Sequence, residues 1–294
     1  MSPLSRRELL VSAAFGTLAL AGCGTSAAPR TAATPPATTP PAPPSPPAVT
    51  PPTAADWRAL AGSLTGTLVL PQDGAYASSR LVYQLRFESA MPQAIAYCAS
   101  AGDVQRALDF ARAHGVRPIP RCGGHSYAGY STGDGLIVDV SRLDQVTVGA
   151  GSASVGAGTR LIDLYAATAA SGVLVPGGSC PTVGISGLAL GGGIGVVGRR
   201  YGLTCDQIAS LTAVSADSRV LTVAPDSEPD LYWASRGGGG GNFAVVTGFE
   251  LTTHPIPPLT LFDLAFPWAA AADVLGAWQQ WVAATPPELW TNCL

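Results

Sequence analysis

The stretch PGGSCPTVGISGLALGGGIGVVGRRYGLTCDQI, residues 176–208, is the part of the chain that says most about the fold. Its glycines are clustered, and a residue without Cβ allows a tight turn or a close approach of the backbone to a ligand. The stretch does not follow a predicted strand and open a helix as a dinucleotide-binding fingerprint does, and GGGxG alone is weak support for one. Cys180, directly before Pro181, is poorly placed for a core cysteine. Turns alone and a ligand-binding loop are both open interpretations.

Two further glycine-rich stretches are RCGGHSYAGYS at 121–131 and RGGGGGNFAVVT at 236–247. In the first, backbone N–H groups can converge on an anion, and Ser126 and Tyr127 add hydroxyl donors, which suits a pyrophosphate. GG pairs are nevertheless mostly turns, and a single histidine such as His125 is more often structural than a ligand. The glycines of the last stretch run directly into a predicted strand, which favours a backbone that passes close to a ligand. In chain order, these three stretches are the first (121–131), second (176–208) and third (236–247) glycine elements.

The segments before the second glycine element alternate between helix and strand. DVQRALDFARAHG predicts a helix from an N-cap at Asp103 to Gly115, because its apolar residues recur on one face. RLIDLYAATAASG predicts a second helix at 160–172. Strands are predicted at 116–121, 135–141 and 153–159.

The later half has a different pattern. Alternating apolar residues at 206–223 predict an antiparallel hairpin around an Asp217–Ser218 turn. A short helix is predicted at 228–237, and a strand that starts near residue 242 stops at Pro255. Together the patterns predict an α+β fold of two packed subdomains, with the glycine elements at their junction.

Composition excludes several functions. The chain has 294 residues, a formal net charge of −3 and only 16 Lys and Arg, so it lacks the basic surface that binds nucleic acid. Its six cysteines show no CxxC spacing, and its three histidines are far apart in the sequence. We therefore expect neither a metal site nor a nucleic-acid partner.

The N-terminus resembles an export signal. Arg6 and Arg7 precede an apolar run over 9–21 that is too short to span a membrane comfortably, and LAGC resembles a lipobox ending at Cys23. We expect a twin-arginine, lipoprotein-like signal over 1–23, lipidation of Cys23 and a Pro/Ala/Thr-rich linker over 24–55. The protein would be exported, at the cell surface or outside the cell, and would touch the membrane only through this lipid. An N-terminal anchor helix is the alternative.

The three glycine elements together, in this order and spacing, resemble the FAD-binding domain of the berberine bridge enzyme-like oxidoreductases, within the vanillyl-alcohol oxidase type of flavoprotein. The resemblance implies a two-subdomain FAD-binding fold of the PCMH type over 85–257, after a lead-in over 56–84. It also implies bicovalent FAD, with His125 bonded to the flavin 8α-methyl and Cys180 to flavin C6. The positions expected to contact FAD are His125, Cys180, Arg121, Gly123, Gly124, Ser126, Tyr127, Val183, Gly184, Ser186, Gly187, Gly191, Gly192, Gly195, Asn242 and Val245.

The family's chemistry implies an oxidase. Hydride would pass from a hydroxyl-bearing small molecule, such as a sugar, an oligosaccharide or a secondary metabolite, to FAD and then to dioxygen, giving hydrogen peroxide. In this family the residue three after the cysteine, here Val183, affects the access of dioxygen, and valine is typical of oxidases. A flavin dehydrogenase or oxidative cyclase with another acceptor, or an inactive surface lipoprotein, are the alternatives.

Residues 258–294 resemble the opening strand and helix of the family's α/β substrate domain. The rest of that domain would follow, so the resemblance suggests a C-terminally truncated chain. The family's usual catalytic base belongs to the missing part. The resemblance therefore assigns no catalytic residue here.

Overall fold

The computed structural model describes residues 49–294. The predicted signal, Cys23 and the linker up to residue 48 lie outside the described residues. The α-helices are α1 Ala54–Ser63, α2 Tyr76–Ser79, α3 Ala101–His114, α4 Leu161–Ala170, α5 Ile185–Leu190, α6 Gly198–Tyr201, α7 Pro229–Ser235 and α8 Ala271–Ala283. The strands are β1 Thr67–Val69, β2 Ala94–Tyr97, β3 Pro118–Arg121, β4 Leu136–Asp139, β5 Val146–Val148, β6 Ser152–Gly156, β7 Val173–Leu174, β8 Ile208–Ser215, β9 Val220–Val223, β10 Ala244–Thr252 and β11 His254–Pro255.

The first sheet has the order β1-β2-β4-β3, in which β2, β4 and β3 are parallel and β1 is an antiparallel edge. Strand β4 is buried along its whole length, because a parallel sheet is covered on both faces. On one face a small cluster of Val69, Tyr76, Ile95, Ile119 and Ile137 packs together. The strands predicted at 116–121 and 135–141 thus lie in one parallel unit, and β1 shows that the lead-in belongs to it. The strand predicted at 153–159 forms β6, which pairs in a different, antiparallel sheet.

The second sheet is antiparallel, with the order β5-β6-β10-β8-β9. It contains the predicted hairpin, β8 and β9, whose turn places Ser218 in the left-handed region with a φ of 63°. Strand β8 begins at Ile208 and not at Asp206, because residues Thr204–Gln207 form a 3-10 turn. The predicted helix before the third glycine element is also present, as α7.

One apolar core joins the two sheets. Val138 of the first sheet and Phe249 of the second belong to the same buried cluster, together with Val104 of α3 and Leu164 of α4. Helix α3 also reaches the β8–β9 turn, where Gln105 donates a hydrogen bond of 2.6 Å to the Ser218 carbonyl. The predicted α+β fold of two packed subdomains is confirmed, with α3 and α4 contributing to the shared core.

The start of α3 differs from the prediction. Ser100, not Asp103, is the N-cap, and its hydroxyl accepts the Asp103 N–H at 3.1 Å. The Asp103 carboxylate turns away from the helix and accepts backbone N–H groups of Thr65, Gly66 and Ala99, each at 2.9 Å. The contacts to residues 65 and 66 are distant in sequence, so a local capping pattern could not reveal them. The helix ends as predicted, with Gly115 left-handed at a φ of 62°.

At both ends of the described residues, the structure differs in part from the prediction. Helix α1 begins at Ala54, inside the predicted linker, with a capping box between Thr53 and Asp56. The predicted C-terminal helix forms as α8, but the predicted strand before it does not form, and Leu261 there is 93% exposed. A single strand with no partner to pair with is unstable. Among the described residues, no helix is long and apolar enough to cross a membrane.

Replacement of Asp103 tests the junction between the lead-in and α3. Burial acts to raise the pKa of Asp103, but hydrogen bonds from Thr65, Ala99 and Gly66 outweigh it, and the pKa is lowered. We expect Asp103→Asn to reduce the free energy of unfolding by about 2–4 kcal/mol at pH 7, measured in urea.

The stabilising effect of the Asp103 carboxylate depends on pH. A carboxyl with a lowered pKa stabilises the fold above its unfolded pKa near 3.9, and this contribution is lost as the pH falls through the folded pKa. The difference in the free energy of unfolding between the wild type and Asp103→Asn should therefore become smaller below about pH 4. Asp109→Asn, on the exposed side of the same helix, is the control, and an equal loss there would contradict the assignment.

Candidate cofactor site

The first and second glycine elements touch through their backbones. A Cβ on Gly123 would collide with the backbone nitrogen of Gly184 and would lie 2.9 Å from the Thr182 carbonyl oxygen. A Cβ on Gly184 would overlap the Cys122 Sγ. The two loops can be this close only because neither glycine has a side chain.

A shared acceptor also joins these two loops. The carbonyl of Ala157, just after β6, accepts the Cys122 thiol at 3.1 Å and the Ser186 hydroxyl at 2.5 Å. Helix α4 holds the second loop from the other side, since its Leu161 N–H donates to the Val183 carbonyl at 2.9 Å. The segment that directly follows Cys180 is therefore held from two sides.

The third glycine element closes the arrangement. Gly237 and Gly239 donate their N–H groups to the Leu190 carbonyl at 3.1 and 2.8 Å, at the end of α5. Gly241, with a φ of 75°, passes the ring of Pro120 in β3, the strand that leads into the first element. The three elements, far apart in the sequence, thus meet at the junction of the two sheets, as predicted.

The second element contains a helix that the sequence pattern did not predict. Helix α5 begins directly after Gly184, but ten residues separate it from β7 and the GGGxG glycines at 191–195 follow it, so the stretch is not a dinucleotide-binding fingerprint, as expected. Its buried residues Ile185, Ala189 and Leu190 repeat on one face, but a helix of six residues gives too few repeats for a clear period. On its exposed side, a Cβ added to Gly187 would meet no atom within 4 Å.

The His125 side chain contacts two other parts of the chain, the second glycine element and Tyr83. Its Nε2 is 2.9 Å from the Thr182 Oγ1 of the second element. Its ring stacks on Tyr83, with ring centroids 4.1 Å apart and an interplanar angle of 17°. Partial burial lowers the pKa of His125, so the imidazole is neutral near pH 7 and has one nitrogen lone pair free to act as a nucleophile.

Cys180 differs from the buried thiols of the domain. It is exposed, two positions before the Thr182 that contacts His125. Burial raises the pKa of Cys98 and of Cys122 to about 12, which keeps both protonated and inert. The structure therefore brings the His125 and Cys180 loops together and leaves the Cys180 thiol accessible.

Three of the residues predicted to contact FAD have side chains that bond to or pack against other parts of the protein. Arg121 is buried in an ion pair with Asp139, with 2.5 Å between Nε and Oδ2, and its Nη1 has no hydrogen-bond partner among the described residues. Ser186 donates to Ala157, and Val245 is buried in the core. In this structure the side chains of Arg121, Ser186 and Val245 support the loops, and only their backbones could face a ligand.

The other predicted positions lie on the loops themselves. The Ser126 hydroxyl accepts the Tyr130 N–H at 3.1 Å, and Asn242 donates to the Gly238 carbonyl at 2.8 Å. The remaining predicted positions fall into three sets: Gly187, Gly191 and Tyr127 are exposed; Val183 and Gly195 are half-buried; and Gly124 and Gly192 are buried. Within the described residues no cluster of His, Cys, Asp or Glu could hold a metal ion.

These residues fit a flavin dinucleotide. Gly187 is exposed and has open space where a Cβ would lie, so a pyrophosphate could approach its backbone closely. The N–H of Gly191 already donates to the Leu188 carbonyl at 3.2 Å. At one end, His125 and Cys180 place two nucleophiles on adjoining loops. A dinucleotide with an electrophilic ring matches both features.

Comparisons with known proteins agree with this site. The family described as FAD binding domain matches residues 92–224. The FAD-linked oxidoreductase YgaK of Bacillus subtilis is 36% identical over 233 residues, which cover 77% of this chain and 51% of that protein. The (R)-6-hydroxynicotine oxidase of Paenarthrobacter nicotinovorans is 36% identical and is matched over 72% of this chain and 46% of its own length.

Solved structures give the same result. The Physcomitrella patens BBE-like 1 protein superimposes with a TM-score of 0.64 at 37% identity, over 68% of this chain and 44% of that one. Glucooligosaccharide oxidase from Acremonium strictum, described with 6-S-cysteinyl, 8α-N1-histidyl FAD, gives 0.65 at 30% identity, over 69% and 43%. The chain belongs to the berberine bridge enzyme-like proteins with a FAD-binding domain of the PCMH type. It spans about half the length of the relatives that it matches.

Two glycines of the second element should respond in opposite ways to alanine. Gly184→Ala places a methyl group against Cys122, and we expect it to lower the free energy of unfolding by about 1–3 kcal/mol. Gly187→Ala meets open space inside α5 and should raise it by roughly 0.5–1 kcal/mol, because alanine favours the helix. Urea unfolding of both variants without flavin measures the difference. Equal stabilities would contradict the close packing of the two loops.

Proposed function

We propose that this protein binds FAD along the three glycine elements and holds it covalently through His125 and Cys180. The observation that carries the proposal is the 2.9 Å contact between His125 and Thr182, since it joins the two loops that bear the nucleophiles. The bicovalent FAD named for glucooligosaccharide oxidase supports it. Such bonds need an accessible sulfur and an imidazole with a free lone pair; Cys180 is exposed, and the imidazole of His125 is neutral.

The proposed activity is oxidation of a hydroxyl-bearing small molecule. FAD, when bound, accepts a hydride and passes two electrons to dioxygen, which gives hydrogen peroxide. The chain's own residues hold the cofactor, present one of its faces and limit the approach of dioxygen at Val183. A relative named as a glucooligosaccharide oxidase supports oxidation of a hydroxyl-bearing compound, and we propose a sugar, an oligosaccharide or a secondary metabolite as the substrate.

We also propose that the protein is exported after folding and tethered through a lipid on Cys23. Support comes from the Arg6–Arg7 pair and the LAGC sequence. The five cysteines of the described residues are all free, so folding of this part requires no oxidising compartment. A cofactor inserted in the cytoplasm would need a route that exports folded protein.

The covalent bonds are tested by acid precipitation of the purified, yellow protein. We expect flavin to stay with the pellet in the wild type, in His125→Ala and in Cys180→Ala, and to be released only in the double variant. Intact mass should show one FAD-sized increment in the first three. Cys293→Ala, which removes another exposed thiol, is the control and should keep the increment. Pelleted flavin in the double variant would overturn the assignment.

The role of Val183 can be measured without knowing the substrate. Val183→Leu adds a methylene group at a half-buried position, and we expect it to slow the reoxidation of dithionite-reduced protein by dioxygen. Reoxidation by an artificial dye, which does not need the same access, should change little. Val220→Leu on β9 is the control. Equal dioxygen rates in all three proteins would show that Val183 does not limit access and would favour a dehydrogenase.

A further inference from the structure

Thr182 is the residue of the second glycine element whose side chain reaches the first. Its hydroxyl lies 2.9 Å from Nε2 of His125 and makes no other hydrogen bond within residues 49–294. Its own carbonyl lies close to Gly123. The carbonyls on either side of Thr182, those of Pro181 and Val183, accept N–H groups of α4, and the Thr182 side chain is directed at the imidazole.

A second contact fixes the plane of the same ring. Tyr83 stacks on His125, and its own N–H donates to the Gly124 carbonyl at 3.1 Å. Stacking sets the plane of the imidazole, and the Thr182 hydroxyl sets its rotation within that plane. Nε2 is therefore occupied, while Nδ1 has no hydrogen-bond partner in the described part of the chain.

We propose that Thr182 is a positioning residue for the attachment of FAD to His125: its hydroxyl accepts the Nε2–H and leaves the lone pair on Nδ1 as the nucleophile. This inference rests on the proposed covalent binding of FAD. A neutral imidazole has one N–H and one lone pair, and the partner of one nitrogen decides which tautomer forms. Because burial lowers the pKa of His125, the lone pair is available at neutral pH. No charged side chain is in direct contact with the ring among the described contacts.

The Thr182 hydroxyl can bond to His125 both before and after FAD is attached. A bond forms between Nδ1 and the methyl carbon of the flavin, while the methyl group loses one hydrogen and Nε2 loses its proton. The two protons and two electrons released go to dioxygen and give hydrogen peroxide, so atoms and electrons balance. After the reaction Nε2 carries a lone pair, and the same hydroxyl can turn and donate to it. Serine keeps this ability, and valine, which has nearly the same shape, does not.

The test uses a Cys180→Ala background, in which covalent flavin reports on His125 alone. The full chain is prepared as apoprotein with Thr, Ser or Val at position 182 and mixed with FAD. The flavin that stays with acid-precipitated protein is followed over time, and fluorescence quenching measures non-covalent FAD binding. We expect Thr182→Val to slow attachment about fivefold with unchanged non-covalent affinity, since it loses one hydrogen bond, and Thr182→Ser to stay within about twofold of the parent.

The outcomes distinguish the role of Thr182 from the covalent binding of FAD itself. Equal attachment rates with Thr and Val would overturn the role of Thr182 and leave covalent FAD in place. No covalent flavin in the Cys180→Ala parent, despite non-covalent binding, would overturn both the His125 bond and the role of Thr182.

A second measurement covers the case in which the valine variant fails to fold. In apoprotein labelled with ¹⁵N-histidine, only three histidines contribute signals, and His125→Ala identifies the one of interest. We expect His125 in the otherwise unchanged protein to be protonated at Nε2 and unprotonated at Nδ1 near pH 7. The opposite tautomer would overturn the proposal.

Discussion

The contact of Gly123 with Gly184 is the constraint on which the rest of the site depends. Because neither residue has a side chain, two loops from different parts of the fold lie at backbone distance, and the Cys122 thiol fills the space that a Cβ on Gly184 would need. That distance lets Thr182 reach His125. A single added methyl group would separate the loops and, with them, the two proposed attachment points.

The two sheets and their common core hold the three glycine elements in place. The first loop follows β3 of the parallel sheet, the second is held by α4 and by the end of β6, and the third leads into β10. Since one core joins both sheets, these starting points cannot move independently. In the first loop the charge of Arg121 is directed inward, into the buried pair with Asp139, so this loop offers backbone N–H groups and hydroxyls in place of a charged side chain. Proposed binding of an anionic cofactor would therefore rest on backbone donors and covalent bonds.

Local patterns predicted the elements that depend on local interactions. Helix α3 and the β8–β9 hairpin follow from apolar periodicity and a turn signal. The predictions failed where the deciding contact is distant in the sequence or is not made among the described residues. The Asp103 carboxylate accepts N–H groups of residues 65 and 66 in addition to that of Ala99, and within residues 49–294 no strand pairs with the segment after residue 258. Helix α5 was missed because six residues, one of them Gly187, give little periodicity.

The residue pattern alone indicates the class of protein, because three glycine elements with a histidine and a cysteine at particular positions are specific enough to indicate a FAD-binding domain. It also determined most helices and strands, whose periods are local. The contacts between distant residues became visible in the folded chain: Gly123 with Gly184, Leu190 with the third element, and Thr182 with His125. Such contacts depend on how two sheets pack on a common core, and no spacing along the chain encodes that distance directly.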